Sequence, residues 1–164
     1  MSNLAFTYSD LGRYQDALRL EEQVLETNQQ VFGPDHPDTI LAMGNLASTY
    51  SDLEQYEDAL RLNEQVLEKR RQTLGPDQLD TLLAMSNLAS TYSEVGRYQD
   101  ALHLEEQVLE KRRLILGATH SKTLLSMGNL ASTYRDLGRD EEALFLEEQL
   151  EALQEEEEDE GEVQ

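Results

Sequence analysis

The chain of 164 residues contains no cysteine and no tryptophan. Without thiols it can build neither a disulfide framework nor a thiolate metal site. Bases are scarce: 13 Lys and Arg stand against 34 Asp and Glu, for a formal charge of −21. A binder of duplex DNA or RNA needs a basic footprint to release counterions, so no nucleic-acid partner is expected. The same charge argues against docking on an anionic membrane. No apolar run approaches the roughly 18 residues that a transmembrane helix requires. A basic-then-apolar leader is also missing from the N-terminus, which points to a cytoplasmic chain. Only three prolines occur, Pro34, Pro37 and Pro76, all within the short segments 33–38 and 75–80. Period-two alternation of apolar and polar residues is absent, so strands have no support.

Repetition is what the sequence has in abundance. The string Asn-Leu-Ala-Ser-Thr-Tyr fills 45–50, 87–92 and 129–134, and a variant with Phe6 fills 3–8. Glu-Glu-Gln-Val-Leu-Glu follows at 21–26 and 105–110, with Asn63 opening the copy at 63–68. The copies recur every 42 residues. A period of this size marks an array whose units bury their cores by stacking on neighbours. Within one copy, Met43, Leu46, Ala47, Tyr50 and Leu53 form one helical stripe. Ala59, Leu60, Leu62, Val66, Leu67 and Leu74 form a second. Each copy therefore reads as a helix pair.

Punctuation agrees with that reading. Gly12, Gly96 and Gly138 stand where a left-handed residue closes the first helix. Glu54 replaces that glycine in the second copy, at a cost of about 1 kcal/mol if the backbone is kept. In the connectors, Asp35/Asp38 and Asp77/Asp80 are expected to cap the next helix and place a negative charge in its first turn. The third connector, 117–122, lacks the proline and both acids, and is expected to be the loosest.

The pattern Leu-Ala-x-x-Tyr in the first helix, Gly-Arg-Tyr-x-Asp-Ala-Leu at the turn and an alanine early in the second helix resembles the tetratricopeptide repeat. The 42-residue period, with Asn-Leu-Ala and Leu-Gly-Pro-Asp-His-Pro-Asp-Thr, is similar to the kinesin-light-chain type. Similar arrays also occur on nucleotide-binding switch proteins, especially in fungi. The resemblance implies an all-α fold: a right-handed α-solenoid of about four antiparallel helix pairs. The array is expected over 1–153, as repeats 1–40, 41–82, 83–124 and 125–153, with an acidic, disordered tail over 154–164. Met1 aligns with Met43, Met85 and Met127, each preceded by several residues of its own helix. The first helix therefore reads as truncated, and the chain as a segment of a longer array.

Sites for chemistry are few. There is no P-loop, no Gly-x-Gly-x-x-Gly, no His-Glu-x-x-His and no EF-hand loop. His36 and His120 occupy equivalent connector positions, and His103 stands where Arg19 and Arg61 stand in other copies. No two histidines share a helical zinc spacing. No enzyme activity, metal or cofactor is expected. Lys69-Arg70-Arg71 and Lys111-Arg112-Arg113 read mainly as i, i+3 partners of Glu68 and Glu110 and as cations offsetting a helix C-terminus.

The binding candidates form a polar ladder beside the apolar stripe. Its rungs are Asn45, Ser48 and Asp52; Asn87, Ser90 and Glu94; Asn129, Ser132 and Asp136; and, first in the chain, Asn3, Phe6 and Asp10. Arg135 is the one base on these rungs. The resemblance implies that first helices line a concave groove, which would present the ladder to a partner. Asparagine can donate to and accept from the backbone of an extended peptide, or it can bond a neighbouring helix and fix the stacking. The recurring acids favour a neutral or basic segment over the acidic peptides that kinesin-type grooves take. The function expected is protein binding by a scaffold. Alternatives are a regulatory array on a switch ATPase whose catalytic domain lies elsewhere, and an array that self-associates through open ends.

Overall fold

Short breaks of glycine, proline and aspartate divide the chain into helices. The computed structural model describes the backbone of residues 2–162 and the side chains of 4–155. In chain order the helices are α1 (Ser2–Asp10), α2 (Tyr14–Phe32), α3 (Pro37–Asp52), α4 (Tyr56–Thr73), α5 (Leu79–Glu94), α6 (Tyr98–Leu116), α7 (Ser121–Asp136) and α8 (Asp140–Glu162). The fold is all-α, built of repeated helix pairs as a tetratricopeptide-like solenoid, with no strand among the described residues. The first helix has 9 residues against 16 in α3, α5 and α7. The backbone of α8 stays helical to Glu162, past the expected end of the apolar stripe near Gln154. Of the acidic tail expected over 154–164, the side chains beyond Glu155 lie outside the described residues. No helix among the described residues is long and apolar enough to cross a membrane.

Two compact units result, 1–95 and 96–164. In the first, α1 packs on α2, α2 on α3, α3 on α4 and α4 on α5. Its core contains Ile40, Met43, Leu46, Leu62, Val66, Leu67, Leu82, Met85 and Leu88. In the second, α6 packs on α7 and α7 on α8. Leu102, Leu109, Leu124, Met127, Leu130, Ala131 and Leu146 form its centre, with Tyr134, Leu150 and Leu153 against them. Leu46, of the first stripe, and its counterparts Leu88 and Leu130 in the next two copies are buried.

The turn inside each pair reverses through one left-handed residue, and at Gly12, Glu54 and Gly138 it is a Schellman closure. At Gly138 (φ 70°), its N–H donates to the Arg135 carbonyl at 2.8 Å and the Arg139 N–H to the Tyr134 carbonyl at 2.8 Å. Glu54 keeps the same turn without a glycine. It sits at φ 58°, its N–H donates to Ser51 O at 2.9 Å, and the Gln55 N–H to Tyr50 O at 2.8 Å. The repeat thus holds one strained residue where the others have glycine.

The joints between pairs depart from expectation at their caps: the N-cap of α5 is Gln78, with no side-chain cap bond, and not Asp77. Asp35 does not cap α3. His36 does, its Nδ1 accepting the Asp38 N–H at 3.2 Å, and His120 caps α7 by accepting the Lys122 N–H at 3.1 Å. A ring nitrogen two bonds from Cβ reaches that amide much as a short carboxylate would, which frees Asp35 to pair with Lys69. Pro37 opens α3 at its first turn, where its missing N–H costs nothing. Asp38 and Asp80 sit in first turns as expected. Beneath each joint a wholly buried threonine donates to a glycine carbonyl: Thr39 to Gly33 at 2.8 Å, Thr81 to Gly75 at 2.7 Å and Thr123 to Gly117 at 2.8 Å. The third joint keeps this bond and its histidine cap despite losing the proline and the acids.

The basic clusters place Arg70, Arg71 and Arg113 in the last turns of α4 and α6, as expected, and also bond across helices. Arg112 is buried, and its Nη1 donates to Ser126 Oγ at 2.7 Å and to the Lys122 carbonyl at 3.2 Å. Arg70 pairs with Asp80 at 3.1 Å, and Asn28, at the same place in the first copy, donates to the Asp38 carbonyl at 3.1 Å. Arg113 donates to Gln149 Oε1 at 3.0 Å. Arg112, Arg70 and Asn28 clamp the end of a second helix to the start of the next first helix, while Arg113 ties α6 to α8.

Two stability outcomes follow from this packing. Glu54→Gly should raise stability by up to about 1 kcal/mol, since glycine removes the left-handed strain but loosens the unfolded chain. Leu88→Ala should cost about 2–5 kcal/mol. Urea unfolding measures both. A neutral or unfavourable Glu54→Gly would contradict the strain argument.

Candidate functional site

The ladder residues fall where two first helices run past each other. Asn45, Ser48 and Asp52 lie on α3, Asn87, Ser90 and Glu94 on α5, and all six are exposed. They border two neighbouring clefts of the first unit. The first cleft is lined by Phe6, Ser9, Asp10, Tyr14, Glu21, Asn45, Ser48, Thr49 and Asp52. The second, one repeat on, is lined by Gly44, Ser48, Ser51, Asn63, Asn87, Ser90, Thr91 and Glu94. Ser48 borders both. In the second unit, Ser132, Arg135 and Asp136 are exposed on α7 and Asn129 is half-buried. The side chain of Asn3 lies outside the described residues.

The helical period explains this placement. Leu46, Ala47 and Tyr50 point toward the partner helix, so Asn45, Ser48 and Asp52 fall on the flank of the same helix. Among the described residues no side-chain hydrogen bond ties Asn45, Asn87 or Asn129 to a neighbouring helix. Ser90 Oγ donates back to the Ser86 carbonyl of its own helix at 3.2 Å. Arg135 is not available as a lone base, because its Nη2 is 2.6 Å from Glu147 Oε2 on α8.

The clefts are also lined by Glu21 and Asn63, which the ladder pattern did not reveal, and Glu105 stands in register with them in the second unit. Glu21, Asn63 and Glu105 occupy the same position in successive second helices, and all three are buried. Each meets a buried threonine of the following first helix. Asn63 Nδ2 donates to Thr91 Oγ1 at 2.9 Å. Glu21 is hydrogen-bonded by Thr49, and Glu105 by Thr133. One oxygen of each glutamate, Oε2, is buried without any hydrogen-bond partner. Burial lifts both carboxyls above the ordinary value of 4.5; the threonine bond opposes this, and the nearby Asp52 or Asp136 adds to it. Burial also raises Asp52. The neighbouring glutamates are simpler: Tyr50, Tyr92 and Tyr134 donate their hydroxyls to Glu22, Glu64 and Glu106 at 3.4, 3.2 and 3.2 Å. The sequence pattern singled out Asp52 and Asp136 as ladder rungs but none of these glutamates. The available signal was the Glu-Asn-Glu alternation at 21, 63 and 105, directly before an exposed acid that never varies in register.

Among the described residues no group of three or more His, Asp or Glu has an arrangement that could hold a metal ion. The clefts offer amides, hydroxyls and carboxylates, a surface for binding through hydrogen bonds and charge.

The raised carboxyls fix the sign of a pH effect. A carboxyl with a higher pKa in the folded state than in the unfolded chain favours folding most when protonated. That contribution is complete below about 4.5 and is lost as pH rises through the raised value. Glu105→Gln should therefore raise the melting temperature near neutral pH, with the gain shrinking to nothing as pH falls below the ordinary carboxylate range. Thermal melts of the variant and the parent across that range decide it. A gain independent of pH would place the effect in packing instead.

The tetratricopeptide-repeat pattern matches residues 1–72 and 46–113 in one form and 123–150 in another. Among solved structures, the chain is 32% identical to a Podosopora anserina protein of nearly identical TPR-like repeats, described as a kinesin light chain. That match has a TM-score of 0.88 and covers 94% of this chain and 74% of the other. BtubC (BKLC) of P. vanneervenii shares the fold at a TM-score of 0.87 with 19% identity, over 96% of this chain and 63% of that one. No curated protein matches. The repeat family so identified acts as a protein–protein interaction scaffold. The chain belongs to the tetratricopeptide-repeat family, in the kinesin-light-chain-like form.

Proposed function

We propose that the chain grips an extended segment of a partner protein along the flank of its first helices, with the asparagine ladder as the gripping surface. The observation that carries this reading is the state of Asn45 and Asn87. Both are exposed, both border a cleft, and neither spends its amide on a neighbouring helix among the described residues. An exposed asparagine amide offers one donor pair and one acceptor, the complement of a peptide group. Successive rungs would hold successive stretches of backbone with little demand on side-chain identity, as in other modes that bind extended chain. Asp10, Asp52 and Glu94 border the same clefts, so the field there favours a neutral or basic segment.

The test uses peptides selected by the chain from a random library. Replacing Asn45, Asn87 and Asn129 together with alanine should weaken their binding at least about tenfold, the loss expected for a few charge-neutral hydrogen bonds. The melting temperature should stay near that of the parent. Retained affinity with a collapsed melting temperature would reassign the ladder to packing.

A further inference from the structure

The two clefts of the first unit are built alike but differ at one buried position. Glu21 stands in the first where Asn63 stands in the second. The second cleft closes its own accounts, because Asn63 donates to Thr91 and needs no further partner there. The first does not. Glu21 is only 8% exposed, lines the cleft, and keeps Oε2 without a partner. A buried acceptor left unpaired is costly, and turning it into the cleft toward a donor arriving from outside removes that cost.

Three further features narrow the donor to one kind. Asp10 and Asp52 line the cleft beside Glu21, and no base lines it among the described residues. Phe6 and Tyr14 border it as well, and Phe6 is exposed where later copies carry Ser48 and Ser90. Acids with an adjacent aromatic face suit a planar cation that can accept stacking and donate sideways at once. The last repeat supplies an internal example. Glu147 lies in register with Glu21, and there the guanidinium of Arg135 meets its carboxylate at 2.6 Å. The same position of a second helix thus already receives an arginine within this chain.

The geometry points to the first cleft as a subsite for an arginine side chain of the bound segment, with Glu21 and Asp52 receiving the guanidinium and Phe6 flanking it. This rests on the groove reading above. It makes Glu21 and Asn63 the residues that set specificity: the first cleft selects an arginine, the second a neutral residue.

The probe is N-acetyl-arginine amide, titrated into the isotope-labelled full chain and followed by the backbone amide resonances of Glu21, Thr49 and Asp52. N-acetyl-citrulline amide serves as the uncharged isostere. The expected result is a saturable response to arginine that is absent or at least about tenfold weaker with citrulline, as loss of a charge-assisted hydrogen bond requires. Glu21→Gln should remove it with the fold intact, since an amide already occupies this position in the second copy. Asn63→Glu should create a second response, at Thr91 and Glu94. Equal responses to the two probes, no saturable response, or indifference to Glu21→Gln would overturn the subsite. The groove reading fails separately. Library peptides that depend on the three asparagines but tolerate both Glu21→Gln and exchange of their arginines for citrulline would sink the subsite and leave the groove standing. An arginine response at Glu21 beside peptides indifferent to the asparagines would do the reverse.

Discussion

Alanine sets the spacing on which everything else depends. Ala5, Ala47, Ala89 and Ala131 on the first helices, and Ala17, Ala59, Ala101 and Ala143 on the second, are all essentially inaccessible. At such positions two helical backbones approach closely, and a larger side chain would have to force them apart. Leucine and methionine fill the space on either side of each alanine contact, so apolar burial holds the helices at the distance alanine permits. At that distance short polar side chains can reach across. Thr91 meets Asn63, and Tyr50, Tyr92 and Tyr134 reach glutamates 28 residues earlier. Longer spacing would break all of these bonds at once.

The polar groups caught at these seams are not equal in energy. The tyrosine–glutamate bonds lie near solvent, so the glutamates keep their hydration and each bond contributes modestly. Glu21 and Glu105 are deeper. Each gives up hydration on both oxygens but receives a protein donor on one. A carboxylate in that state is destabilising for the empty fold. Asn63 shows that an amide satisfies the same position without this cost. The array therefore carries poor local choices at two of four equivalent positions, Glu21 and Glu105, and Glu21 lines a cleft. A sequence that violates local rules at a site commonly does so for function.

Much of the fold was legible in the sequence because the repeat prints its rules three or four times. The stripe through Met43, Leu46, Ala47 and Tyr50 recurs in register, so chance periodicity cannot produce it. The left-handed turn at Gly12, Gly96 and Gly138 followed from glycine alone, and Glu54 from its absence. What escaped was contact between helices. Nothing local distinguishes buried Glu21 from exposed Glu22, since the two differ only by about 100° around the axis of α2. Arg112 looked like part of a solvated basic run, yet its helix turns it toward Ser126. The capping role of His36 was missed because aspartate is the commoner cap and Asp35 stood next to it, and that of His120 because histidine is not among the usual caps. The ladder itself, Asn45 to Asp52 and Asn87 to Glu94, was legible as a flank of the stripe, but its clefts needed three dimensions.

Ala47 and Ser48 are neighbours in sequence with opposite surroundings, one wholly buried at the seam and the other exposed between two clefts. Urea unfolding of Ala47→Leu beside Ser48→Leu tests the spacing claim most directly. Ala47→Leu should lose about 1–3 kcal/mol from overpacking, while Ser48→Leu should stay within about 0.5 kcal/mol of the parent. Equal effects at the two positions, or a seam that takes leucine at no cost, would show that alanine does not set the distance between the helices.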